Sequence, residues 1–142
     1  MITAASGDNV NRLDQVRWID LHPKLDERGS LTAIEGEQTV PFKIHRVYFI
    51  QSTAPARAGH AHRDTEQLLI PVAGSCEVSL SDGIAEKRYV CDRNSRGLYI
   101  VPMLFIRVFN FSPDAVVLVL ASTHYDSSRS IRTWAAYLTE AK

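Results

Sequence analysis

The sequence predicts an all-β jelly-roll barrel with a short C-terminal helix. Three observations carry this. Nine short runs rich in β-branched and aromatic residues follow one another between Val16 and Ser122. Turn residues separate them at fairly even spacing, the pattern of a strand-rich barrel. Only the tail from Ser130 to Thr139 changes period: Ile131, Trp134, Ala135 and Leu138 recur at helix spacing.

In chain order the runs are VRWIDL, SLTAIEG, KIHRVYFIQ, EQLLIPVAG, SCEVSLSDG, EKRYVCD, GLYIVP, IRVFNFS and AVVLVLAS. Gly29, Gly36, Gly97 and Pro113-Asp114 punctuate them. Ser81-Asp82-Gly83 is the clearest hairpin signal, because Asp-Gly tolerates the positive φ angles of a tight turn. Residues 1–12 are polar and small and read as a loose segment, leaving 13–142 as a single domain.

Composition narrows the function. A 142-residue chain with 45 % hydrophobic residues suits one globular domain. Sixteen basic and sixteen acidic side chains balance, which argues against a nucleic-acid partner. An anionic small molecule stays open, since a few local arginines suffice to bind phosphate. Cys76 and Cys91 lack metal or redox spacing and read as reduced packing residues of a cytoplasmic protein. The N-terminal stretch lacks the apolar core of a signal peptide. No apolar run approaches the roughly 18 residues of a membrane span, so no membrane partner is expected.

The segment Arg57-Ala58-Gly59-His60-Ala61-His62 holds the most chemistry. If it is extended, His60 and His62 share one face and Ala61 takes the other. Inward imidazoles in a barrel mouth are costly unless they bind something or move protons. Three readings compete. Metal-binding cupin barrels place His-x-His, a glutamate and a glycine on one stretch, and Glu66 and Gly74 come close to that. Their second stretch adds a histidine after a proline turn. Here, after Pro102, Arg107 stands near that position, and a guanidinium does not ligate metals. Proton transfer is the second reading, since imidazole is matched to neutral pH. Histidines with no special role are the third.

Further elements extend through most of the chain. They include Arg28-Gly29-Ser30-Leu31, Ile34-Glu35, Pro41-Phe42, Arg46-Val47-Tyr48-Phe49-Ile50, Arg57 with Gly59-His60-Ala61-His62, and Gln67-Leu68-Leu69-Ile70. Gly74-Ser75, Asp82-Gly83, Asn110-Phe111-Ser112, Asp114-Ala115, Leu118 to Ser122, Tyr125-Asp126 and Ile131-Arg132 follow. In this order they resemble the dTDP-4-keto-6-deoxyglucose 3,4-ketoisomerases, WxcM-like or FdtA-like sugar isomerases of the cupin superfamily. Two stretches depart from that family: Phe105-Ile106, where it often has tryptophan and histidine, and Ser127 to Ser130, where it is more acidic and aromatic.

The resemblance implies a cupin-type jelly roll acting on a dTDP-linked keto sugar, with neither metal nor other cofactor, and a homodimer that exchanges strands. Moving a ketone from C4 to C3 requires a base, an acid and stabilisation of an enediolate. By analogy His62 is the base, His60 its partner in orienting or relaying, and Tyr48 a hydrogen-bond or proton donor. Arg57 is expected to serve the enediolate or diphosphate, and Arg28 and Arg107 the pocket wall. Gln67 is expected at a sugar hydroxyl, with Arg46, Lys43, Arg63 and Arg132 as further cations. Glu66 reads as a solvated or salt-bridged side chain. Trp18 and Trp134 read as core residues or as platforms for the base. A 3,5-epimerase-like enzyme, a metal-dependent cupin enzyme and a non-catalytic sugar-binding cupin are the alternatives.

Overall fold

The computed structural model describes residues 11–52, 54–57 and 59–141. Most of the expected loose segment, residues 1–10, lies outside these. A short helix α1 (Arg12–Gln15) opens the described chain, capped by Asn11, whose Oδ1 accepts from Leu13 N at 2.8 Å. It replaces looseness at Asn11 and Arg12 because Leu13 is buried and anchors the turn.

Strands follow as β1 (Arg17–Asp20), β2 (Lys24–Asp26), β3 (Gly29–Leu31), β4 (Arg46–Ile50), β5 (Ala61–His62) and β6 (Gln67–Ala73). Then come β7 (Cys76–Ser81), β8 (Glu86–Cys91), β9 (Arg96–Ile100), β10 (Phe105–Phe109), β11 (Val116–Ala121) and β12 (Ser130–Ile131), before helix α2 (Trp134–Glu140). One sheet runs β1-β9-β6-β11-β4, and a second runs β10-β7-β8. All pairings within them are antiparallel. The core includes Val78 and Leu80 from β7 together with Leu98 and Val117 from β9 and β11.

β6 is buried at Gln67, Leu68, Leu69, Ile70 and Pro71, on both faces. The second face is covered by the segment before β4, where Val40 and Phe42 are buried and Phe42 stacks on Tyr99 with ring centroids 6.3 Å apart. That segment explains a difference from the pattern reading. Of the run SLTAIEG only Ser30 and Leu31 are paired as strand, in the β2–β3 hairpin; Ile34 packs against the core as part of the cover.

The tail also differs from its expected helix. Ser130 and Ile131 are extended and pair with His62 and Ala61. The helix starts at Trp134, because Thr133 Oγ1 accepts from Ala136 N at 3.2 Å and caps it. The hairpin expected at Ser81-Asp82-Gly83 is present: Gly83 has φ +95°, and Asp82 Oδ1 accepts from the amides of Ile84 and Ala85. Cys76 and Cys91 are directly opposite in the β7–β8 register, both buried and both free thiols.

Gly74 turns β6 into β7 with φ +65°, and a Cβ there would stand 2.3 Å from Ser112 Oγ and 2.8 Å from Ala115 Cα. Overpacking and left-handed strain therefore add, and Gly74→Ala should lose about 2 kcal/mol or more of stability in urea unfolding.

Candidate active site

The histidine segment is held as an edge of the second sheet. Arg57 N donates to Val108 O at 3.0 Å, His60 N to Ile106 O at 3.1 Å and Ile106 N to His60 O at 2.7 Å. Met103 N donates to His62 O at 2.8 Å. The period-2 alternation of an extended chain then sorts the side chains. His60 and His62 turn into a cleft of about 860 Å³, their ring centroids 4.8 Å apart and their planes at 85°. Ala61 turns the other way into a second apolar cluster with Phe105, Ile131 and Tyr137.

That cluster stiffens the segment from behind. Gly59 lies so close to Phe105 that a Cβ would stand 2.3 Å from ring atom Cε2, so only glycine fits. Phe105 in turn meets Trp134 and Tyr137, with centroids 5.2 and 5.4 Å away. Tyr137 Oη donates toward Met103 O at 2.8 Å, with Ser81 O at 3.0 Å. Arg63, next after β5, grips Glu140 of α2 through two bonds of 2.9 and 2.6 Å.

Opposite the histidines, β4 contributes Arg46 and Tyr48 to the cleft. Their alternate positions place both inward, while Val47 and Phe49 between and beyond them are exposed, Phe49 at the cleft rim. The Arg46 guanidinium lies 5.2 Å from the Tyr48 ring and 5.5 Å from that of Tyr125. Its Nε is buried without a hydrogen-bond partner among the described residues. Arg57, Arg129 and Arg132 complete a strongly cationic wall. Behind the lining, Gln67 Nε2 donates to Tyr48 Oη at 3.0 Å and lies 3.3 Å from His62 Nε2.

Electrostatics follow from this crowding. His62 is only 9 % exposed. Burial, then the positive charges offered by His60, Arg46 and Arg132, push its pKa down to about 4. Burial moves the Tyr48 phenol up, against the opposing pull of Arg46, the Gln67 hydrogen bond and Arg57. At neutral pH the site therefore pairs a neutral imidazole with a protonated phenol.

The structure brings together His62, His60, Tyr48, Arg57, Arg46 and Arg132. It places five other expected residues elsewhere. Arg28 sits at the tip of the exposed β2–β3 hairpin, ion-paired to Asp26 at 2.7 Å. Arg107 is on β10 one residue beyond Ile106, so alternation turns it outward, over the Phe105 ring at 5.6 Å. Gln67 is 3 % exposed and lies behind the lining, its amide nitrogen engaged by Tyr48 and His62. Arg63 is occupied by Glu140, and Lys43 does not line the cleft.

Glu66 immediately precedes β6, and its side chain accepts from Tyr99 Oη at 2.5 Å rather than standing in solvent. Among the described residues no three His, Cys, Asp or Glu side chains converge as a metal site. Trp18 is covered by Arg96 at 3.8 Å and Trp134 by Phe105, both outside the cleft. Pattern reading missed His124 and Arg129, which arrive with Tyr125 on the return segment after β11. Arg129 is held by Asp64. The available signal was a polar, aromatic stretch directly following the last core strand.

The depressed His62 pKa has a stability consequence. The unfolded imidazole takes up its proton near pH 6.5 and the folded one only near 4. Between those values the unfolded chain binds more protons, so stability falls as pH drops through that window. The loss attributable to His62 should reach about 3 kcal/mol at the lower end, and His62→Asn should remove it from a chemical-unfolding series measured across this range.

Comparison with known proteins agrees with this architecture. The family model described as WxcM-like, C-terminal (FdtA) matches residues 14–142. The TDP-4-oxo-6-deoxy-alpha-D-glucose-3,4-oxoisomerase of Aneurinibacillus thermoaerophilus is 42 % identical over 112 residues, covering 78 % of this chain and 81 % of the relative. A sugar 3,4-ketoisomerase from Thermoanaerobacterium thermosaccharolyticum, solved in complex with TDP, superposes with a TM-score of 0.86 at 38 % identity, over 89 % of this chain and 93 % of its own. The TDP-quinovose 3,4-ketoisomerase of Campylobacter jejuni gives 0.83 at 40 % identity, over 87 % and 97 %. The all-β cupin-type barrel with its C-terminal helix is thus shared with solved ketoisomerases, and the chain belongs to the WxcM-like, FdtA family.

Proposed function

We propose that this chain is a sugar 3,4-ketoisomerase that converts dTDP-4-keto-6-deoxyglucose into a dTDP-3-keto-6-deoxyhexose, as a step toward deoxyamino sugars. The observation that carries this reading is the neutral His62 facing His60 and Tyr48 in an arginine-walled cleft. The relatives' printed activities supply the substrate.

The reaction is a proton-transfer isomerisation. A base removes the proton on C3, electrons flow toward the C4 carbonyl, and an enediol forms. Returning a proton to C4 while the C3 hydroxyl loses its own leaves the ketone at C3. Oxidation levels exchange within the sugar, so the balance needs no outside oxidant. His62 serves as the base at C3. His60, whose ring meets that of His62 at 4.8 Å, orients the sugar or shares the proton. Tyr48 is the donor toward the developing oxyanion, supported by its protonated state.

Arg46, Arg57, Arg129 and Arg132 suit a diphosphate by charge and fork geometry. They also link binding to chemistry. Arg46 and Arg132 depress the His62 pKa. A bound diphosphate offsets those charges, so the base strengthens when substrate arrives.

The reading extends to a homodimer formed by strand exchange. β4 ends its sheet with an open edge, and Phe49 there is 63 % exposed. The β2–β3 hairpin projects with Leu25 77 % exposed, an apolar arm with no cover of its own. A cytoplasmic setting suits the free thiols of Cys76 and Cys91.

In deuterated water, enzyme and dTDP-4-keto-6-deoxyglucose should yield a 3-keto product carrying deuterium at C4. Inversion at C3 and C5 with the ketone still at C4 would instead mark an epimerase, and neither exchange nor a 3-keto product would leave only binding. His62→Asn should lower kcat by at least about 100-fold with the fold retained; near-normal turnover would remove His62 from the role. Light scattering should give twice the 15.9 kDa chain mass, and a monomer would reject strand exchange.

A further inference from the structure

Gln67 is a buried side chain that touches both proposed proton-transfer groups. Its amide nitrogen lies 3.0 Å from Tyr48 Oη and 3.3 Å from His62 Nε2. An amide NH2 has two protons to give and accepts nothing. Placed so, the amide gives one proton to Tyr48 Oη and turns the other toward His62 Nε2. For His62 this means a bare Nε2, with the ring proton on Nδ1. For Tyr48 the phenol oxygen accepts at Gln67, so its own proton points elsewhere, toward the cleft that the residue lines.

We propose that Gln67 is a positioning residue that assigns opposite proton roles to its neighbours: it keeps His62 Nε2 bare, the nitrogen that exchanges the long Gln67 contact for the C3 proton, and turns the Tyr48 hydroxyl as a donor. The assignment rests on the isomerase reading for its purpose, though not for its geometry. It replaces the sugar-hydroxyl contact expected of Gln67. Its amide proton toward His62 also opposes a resting imidazolium, in the same direction as burial. A carboxylate at this position would invert both roles, accepting from Tyr48 O–H and from a protonated His62 Nε2. The other titratable and charged groups facing this pair are His60, Arg46, Arg57 and Arg132, with His124, Asp126 and Arg129 elsewhere in the cleft.

The test is nitrogen NMR of the histidine rings in the full-length enzyme without ligand, with His62 assigned through the signal lost in His62→Asn. The expected result is a neutral Nδ1–H ring at pH 7. In Gln67→Glu the His62 pKa should rise by about one unit or more. With dTDP-4-keto-6-deoxyglucose, kcat should fall at least about tenfold in both Gln67→Glu and Gln67→Leu, while KM and TDP affinity stay within about threefold. Gln67→Leu keeps the apolar volume and adds no charge, so it remains informative if the glutamate variant folds poorly. A wild-type ring protonated on Nε2 would overturn the proposal, as would unchanged kcat in both folded variants. The ring tautomer is read without turnover. An Nδ1–H ring in a protein that moves no ketone would uphold the Gln67 geometry and reject the isomerase instead.

Discussion

The exchanged backbone hydrogen bonds between His60 and Ile106 decide the faces of four consecutive residues. With that pairing, Gly59 and Ala61 meet the aromatic cluster and His60 and His62 meet the cleft. A slip of one residue would send both imidazoles into the apolar cluster and Ala61 into the cleft. The register is protected from both sides. Phe105 tolerates only glycine at its closest contact, and Ile131 pairs with Ala61 across β12 and β5. The C-terminal segment thus holds the histidine segment rather than hanging from the barrel as an appendage.

The site opposes folding in its electrostatics. Two imidazoles stand next to several arginines, and an Arg46 nitrogen is buried without a hydrogen-bond partner among the described residues. Stability alone would favour none of this. In the proposed reading, an anionic diphosphate turns the same arrangement to advantage. It supplies the missing negative charge, satisfies guanidinium donors and lets His62 regain basicity. Cost in the free protein and selectivity for a diphosphate-linked substrate then have one physical origin.

Gln67 connects the two sheets of this argument. It begins β6 in the five-stranded sheet, while His62 lies on the segment beside β10 in the other. Tyr48 comes from β4. A single amide therefore ties the relative placement of acceptor and donor to the packing of the barrel.

Much of this was legible in local pattern. β-rich runs such as CEVSLS between turn residues marked strands, and Asp82-Gly83 marked a turn. The spacing of His60 and His62 was enough to put both rings on one side, because side-chain direction in an extended chain repeats every two residues. What local pattern could not assign was company. Arg28 and Arg107 were as plausible as Arg46 and Arg57 until strand pairing placed one on an open hairpin and turned the other outward. His124, Tyr125 and Arg129 reached the cleft only through the return of the chain after β11. Gln67 changed from a sugar contact to a buried bridge because its partners come from strands 19 and 5 residues away in sequence. The sequence by itself determined strands, faces and the family's motif order, which depend on short-range geometry. The tertiary structure alone decided which charges and hydrogen-bond partners share a cavity, since those contacts depend on how distant segments pair.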